Sequence, residues 1–185
     1  MSTSKRKPAE VSYHHGDLRR ALVDATAKIV AKDGAASVSL REVAREAGVS
    51  HNAPYRHFES LAALLAAVAT EGFEAFRARL EAAAKKATPA GRKSALGRAY
   101  LDFALDNPKL YLLMFGPDLD KVEHPELAKA AKDAFAVLLA ESGKGGGSRE
   151  TDAIAAWAFV HGLAHLIIDK QIKRSNAAIA AFFEQ

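Results

Sequence analysis

Cysteine is absent from the 185 residues, which excludes disulfides, thiolate metal sites and a catalytic thiol. Runs of β-branched residues are few and alanine is abundant, a composition that argues for helices throughout. No apolar run reads as long enough to span a membrane. The opening stretch MSTSKRKPAEVSYHHG is polar and lacks an apolar core, so no secretory signal is expected and a soluble, cytoplasmic protein is. No large excess of either charge is present, and the net charge is only +4. It is unevenly placed, however. Residues 1–70 hold ten Lys+Arg against seven Asp+Glu, and the remainder holds 16 against 15. The positive excess therefore lies mainly in the first stretch, where phosphate binding would favour it.

Hydrophobic residues make up 49% of the chain, enough for one large domain or two small ones sharing a core. The most informative segment is Ser39 to Phe58, SLREVAREAGVSHNAPYRHF. Leu40, Val43, Ala44 and Ala47 recur at helical spacing and share a face. Ser39 suits an N-cap, with Glu42 three residues on where a capping box wants it. Gly48 suits a left-handed C-cap. Ser50 then caps a second helix expected from His51 to about His57, too short to stand alone in water. Its polar and aromatic side chains match what a DNA major groove requires. On spacing alone, an ordinary helical hairpin is the competing reading.

Residues 1–15 read as a basic arm carrying Lys5, Arg6 and Lys7. A helix is expected over 17–32, with Leu18, Leu22, Ala25, Ile29 and Val30 inward, ended by Gly34. Further helices are expected over 60–86, 92–106, 108–115, 125–142, 150–172 and 176–183. Pro108 and Pro125 suit helix starts, Gly116-Pro117 a stop, and Lys144 to Ser148 a flexible loop. The fold class is thus all-α: a three-helix DNA-binding head over 16–60 and a larger helical body over 61–185.

The segments YHHGDLRRALVDATAKIVAKDGAASVSLREVAREAGVS and YRHFES, followed by an apolar helix, resemble the TetR family of bacterial transcriptional regulators. NPKLYLLMF at 107–115 and WAFVHGLAHLIID at 157–169 resemble the WHG type of regulatory domain found in part of that family. The resemblance implies a homodimer that binds a double-stranded DNA operator. It also implies a body that holds a small apolar or aromatic effector and changes the spacing of the heads. One position departs from the pattern. Where relatives often carry a lysine at the start of the fourth helix, this chain has Leu61, with Glu59 before the cap Ser60.

The second helix of the motif should read bases: Asn52 can pair bidentately with adenine and Arg56 with guanine. His51 can donate to guanine or phosphate. Tyr55 matches a family position that suggests phosphate contact or packing on a thymine methyl, and His57 one that often touches phosphate. The hydroxyls of Ser39 and Ser50 and the charge of Arg41 would add phosphate contacts. In the body, Tyr100, Phe103, Tyr111, Met114, Phe115, Trp157 and His161 mix apolar walls with a few polar groups, as a ligand cavity does; plain core packing is the simpler reading of any one of them. The apolar stretch 152–170 and the pair Phe182-Phe183 suggest a two-fold interface. Neither a catalytic residue, a cofactor nor a metal is expected. The competing class is an all-α metalloprotein or enzyme using His161, His165 and Asp169, spaced i, i+4, i+8 on one helix face; a helical interaction module is a third.

Overall fold

The computed structural model describes residues 15–141 and 148–183. The arm with Lys5, Arg6 and Lys7, residue His14, most of the predicted 144–148 loop and the side chain of Phe182 lie outside the described residues. Among the described residues the regular structure is helical, with no strand. The helices are α1 (His15–Asp33), α2 (Leu40–Glu46), α3 (Leu61–Lys86), α4 (Arg92–Asp106), α5 (Pro108–Phe115), α6 (Pro125–Ala140), α7 (Arg149–Ile168) and α8 (Ala177–Phe182).

Each boundary has a local cause. Ser39 accepts from the backbone N–H of Glu42 at 3.2 Å, so α2 is capped as expected. The reciprocal half of the capping box is not made, because the Glu42 carboxylate turns instead to Arg45 at 2.8 Å. Gly48 closes α2 with φ +68°. Its N–H reaches Arg45 O and that of Val49 reaches Ala44 O, the two bonds of a Schellman motif, which a left-handed residue permits. The same pair of bonds ends α7, where Lys170 takes φ +59° and Gln171 and Lys170 bond Leu166 O and Ile167 O. This stops α7 at Ile168, four residues before the expected end. The sequence carries no glycine there to announce it.

The second helix of the motif is corrected more strongly. Over 51–57 the chain forms a turn and a single 3-10 turn, Pro54–Arg56, instead of an α-helix. Ser50 makes no side-chain cap; its carbonyl accepts from Ala53 N–H. Pro54 has no N–H to give Ser50, so the chain tightens into bonds from Arg56 to Ala53 and from His57 to Pro54.

The core is continuous from head to body. α1 presents Leu22, Val23, Val30 and the buried Thr26, whose hydroxyl bonds Leu22 O. α3 runs the length of the molecule and packs on α1, α4, α5 and α6. Its Leu64, Val68, Phe73, Phe76 and Leu80 are all buried, each worth about 1.5–3 kcal/mol relative to exposure. α3 and α5 approach closely at Gly72, where a Cβ would fall 2.8 Å from Met114 Sδ.

α7 differs from the expectation that no segment could span a membrane: by length and composition it is apolar enough to do so. In this fold Ala153, Val160, Leu163 and Ala164 are buried against the body, while Ile154, Phe159 and Leu166 remain exposed. A helix apolar on every side has more than one face to cover.

Candidate functional site

The head presents a pinned turn. Ala53, Pro54 and Phe58 are buried, and Arg19 from α1 lies over the Phe58 ring at 5.1 Å. Around these anchors His51, Asn52, Tyr55 and Arg56 are exposed, Tyr55 by 62%. Ser39, Arg41 and Ser50 are exposed nearby, and His57 is half-buried. Seven of the eight predicted readers are thus exposed on the head, and those over 51–57 are carried by a turn instead of a helix. Several other charges of the head form ion pairs. Arg45 pairs with Glu42 at 2.8 Å and Asp24 with Arg20 at 2.6 Å. Arg20 also reaches Glu71 on α3 at 2.8 Å; these exposed bridges are individually weak.

The body holds a polar cluster inside apolar packing. Tyr100 on α4 and Tyr111 on α5 are fully buried, with hydroxyls 3.1 Å apart. Both face Nδ1 of His161 on α7, at 2.9 Å and 2.6 Å. Trp157 Nε1–H donates to the Tyr100 hydroxyl at 3.1 Å. All three protons find acceptors when Trp157 N–H donates to the Tyr100 oxygen, Tyr100 O–H to the Tyr111 oxygen and Tyr111 O–H to Nδ1, an arrangement that goes with a neutral imidazole protonated on Nε2. Burial, then the neighbouring His165, hold His161 below its usual range. Burial pushes the Tyr100 phenol up to about 12 and raises that of Tyr111 as well, so both remain donors.

Cavities flank this cluster. One of about 100 Å³ is lined by Phe73, Phe76, Tyr100, Phe115, Phe135 and Trp157 among others. A larger one of about 360 Å³ lies between α4, α6 and α7, walled by Leu96, Tyr100, Leu138, Trp157, Phe159 and Val160, with Lys93, Ser94 and Glu141 also on its lining. Of the seven predicted ligand residues, Tyr100, Phe115 and Trp157 line these spaces. Phe103, Tyr111 and Met114 are buried in packing, and His161 contributes through its bonds to the two tyrosines. Lys93, Ser94, Gly97 and Leu138 line the larger cavity without having been singled out in the sequence. They sit on helix faces whose partners come from distant segments, and no local pattern marks them.

His161 and His165 are in edge contact at 4.7 Å between ring centroids. Among the described residues no three His, Cys, Asp or Glu side chains gather to hold a metal ion. The i, i+4, i+8 spacing of His161, His165 and Asp169 is therefore not realised as a ligand set. Phe183, expected in an interface between subunits, is buried within its own chain, 6% exposed.

Residues 22–68 match the bacterial regulatory proteins of the tetR family, and residues 94–185 match the tetracyclin repressor-like C-terminal domain. No functionally curated protein matches. A Rhodococcus sp. RHA1 protein with unknown function is 34% identical with a TM-score of 0.80, over 95% of this chain and 98% of its own. The transcriptional regulator FadR from Bacillus subtilis, solved with stearoyl-CoA, is 15% identical with a TM-score of 0.70 over 89% and 94%. The multidrug binding protein EbrR, solved with imidazole, is 20% identical with a TM-score of 0.67 over 95% of each chain; at these identities the last two share the fold. With both halves matched in order around the turn and the tyrosine–histidine cluster, the chain belongs to the TetR family of bacterial regulatory proteins.

Proposed function

We propose that this protein is a cytoplasmic homodimeric repressor that binds a pseudo-palindromic operator and leaves it when a small apolar or aromatic molecule enters the body. The observation that carries the reading is the turn at 51–57. Four side chains able to bond bases or phosphates, His51, Asn52, Tyr55 and Arg56, are exposed on a backbone anchored by buried Ala53 and Pro54. Asn52 and Arg56 read bases; Ser39, Arg41, Ser50, His51, Tyr55 and His57 contact phosphates and fix the register.

Dimerisation is supported by a partly exposed apolar stripe on α7. Ala155, Phe159, Gly162 and Leu166 recur at i, i+4, i+7, i+11, and a Cβ at Gly162 would meet nothing within 4 Å. A two-fold copy of this stripe would form a four-helix arrangement with small residues at the contact. The body from 61 onward then sets the distance between the two heads, which must match about 34–36 Å between successive major grooves.

Two relatives of the same fold were solved with stearoyl-CoA and with imidazole, which supports a body that holds small molecules. Here the site is the cavity beside Tyr100 and Trp157. Two helices connect it to the head. α3 packs on α1 of the head and on α4 and α6, whose residues line the larger cavity, and α5 carries Tyr111 at one face and Lys109, whose amine donates to Lys32 O at the end of α1. A ligand that displaces α5 therefore moves α1. It releases DNA only to the extent that it binds the released spacing more tightly.

The test is an electrophoretic mobility shift with DNA from upstream of the protein's own gene, across a salt series. Retention of one site against unrelated competitor, with an affinity that falls as salt rises, is the expected result. Equal binding to all sequences overturns the reading.

A further inference from the structure

The phenyl ring of Phe183 is a wall shared by two spaces. On one side lies the cavity of about 360 Å³ beside Trp157. On the other an open groove of about 930 Å³ runs between α3 and α4. The ring sits against Gly97, where a Cβ would fall 2.5 Å from its Cε1, so only glycine leaves room for it. Arg98, the next residue, donates to the Phe183 carbonyl oxygen and lies 5.8 Å from the ring centroid. This is within the range of a cation–π contact. The helix that delivers the ring is weakly held: α8 has six residues, and its alanines at 177, 178, 180 and 181 are exposed. So short a helix has little stability of its own.

We propose that Phe183 is a tethered stand-in for a ligand, and that its seat accepts an arylalkanoate, an aromatic ring joined by a two-carbon spacer to a carboxylate. The match is atom for atom. In Phe183 the Cβ and Cα separate the ring from its carbonyl, as two methylenes separate ring and carboxylate in 3-phenylpropanoate. The free carboxylate has an advantage that the backbone carbonyl lacks. Its bond to Arg98 is charge-assisted, and such bonds are about twice as strong as those between neutral groups. The surroundings favour an anion too. Lys93 lines the cavity and Lys86 the groove. The acids that line the two spaces among the described residues are already paired, Glu141 with Arg92 at 3.2 Å and Asp102 with Arg174 at 2.6 Å. Against this stands the tether, which keeps the ring at high effective concentration. The seat is therefore self-occupied, and a ligand's apparent affinity is reduced by the fraction of molecules in which Phe183 has left.

The proposal deepens the effector reading and rests on it only for the coupling to DNA. Trp157 is the sole tryptophan and lines the cavity, so its fluorescence reports occupancy. The full chain is titrated with 3-phenylpropanoate and with the neutral 3-phenylpropanol, as wild type, Phe183→Ala, Phe183→Leu, and Phe183→Leu combined with Arg98→Gln. Removing the tethered ring should tighten carboxylate binding by about tenfold or more, and Arg98→Gln should reverse that gain while leaving the alcohol unaffected. Phe183→Leu keeps an apolar anchor should the alanine variant fail to fold. Carboxylate affinity that is equal in wild type and the Phe183→Leu variant, or indifferent to Arg98→Gln, overturns the proposal. Tightened binding with unchanged operator affinity supports the seat and refutes only its role in DNA release.

Discussion

Replacing Asn52 and Arg56 separately by alanine tests the head directly. Both side chains are exposed, and neither belongs to the core that anchors their turn. Their removal should change folding stability by no more than about 0.5 kcal/mol, the usual range for surface sites. On DNA the consequence is different. A bidentate pair to adenine or guanine is worth about 1–3 kcal/mol. A two-fold dimer uses each residue twice, so the loss should be about 2–6 kcal/mol, roughly 30-fold or more in operator affinity. Pro54→Ala is the informative contrast, because Pro54 is fully buried. That change leaves a small void and loosens a turn that proline holds tight, so it should lower both stability and affinity. The assay is fluorescence anisotropy with labelled operator, alongside thermal unfolding of each variant. Loss of DNA binding in Asn52→Ala or Arg56→Ala with a melting temperature depressed as far as in Pro54→Ala would show that these residues act through the fold. No loss at all would remove them from the interface.

Protonating His161 must break the cluster, since its Nδ1 is the acceptor of the Tyr111 proton. The folded state holds this group below its usual 6.5, so the unfolded chain binds more protons as pH falls. Its contribution is fully present above about pH 6.5 and is lost as pH drops through the folded value; melting temperature should fall across that window less steeply in His161→Asn than in wild type. Tyr111→Phe removes the 2.6 Å bond to His161 and should cost about 1–3 kcal/mol, or roughly 2–12 °C by differential scanning calorimetry. Phe159→Glu places a charge in the exposed α7 stripe; light scattering should show a shift from dimer to monomer with little change in helix content by circular dichroism. Gly72→Ala overpacks the α3–α5 crossing against Met114 and should cost about 1–3 kcal/mol, measured by urea unfolding.

The helices of the body were legible because their boundaries rest on residues with fixed conformational habits. Pro108 and Pro125 open α5 and α6 where expected, and Ser60 caps α3 by accepting from Ala63 N–H. The buried face of α3 follows from its apolar periodicity alone. Two elements escaped for opposite reasons. Residues 51–57 carry helix-compatible side chains, but one missing N–H at Pro54 outweighs them in so short a segment. The end of α7 has no glycine, and Lys170 takes the left-handed conformation because the two Schellman bonds and the return of Ile172 to the core repay it. Such a cost of about 1–2 kcal/mol is visible only once the partners are in place.

The body site shows the same division between what is local and what is assembled. Aromatic residues at helical spacing mark a packed interior, and Tyr100, Tyr111 and Trp157 could be chosen from it because each carries a polar atom that must be satisfied. Which partner satisfies it depends on three helices meeting, and His161 lies 61 residues from Tyr100 along the chain. Apolar contacts tolerate many pairings of equal area. A hydroxyl that must reach one ring nitrogen does not, so the cluster fixes the register of α4, α5 and α7 more narrowly than their packing would. Space is then left where no polar partner demands closure, between α4 and α7 beside Trp157. Gly97 extends that space by omitting a side chain. The glycine reads in the sequence as a mild defect of a helix, and only the ring of Phe183 seated against it shows why a larger residue would not fit.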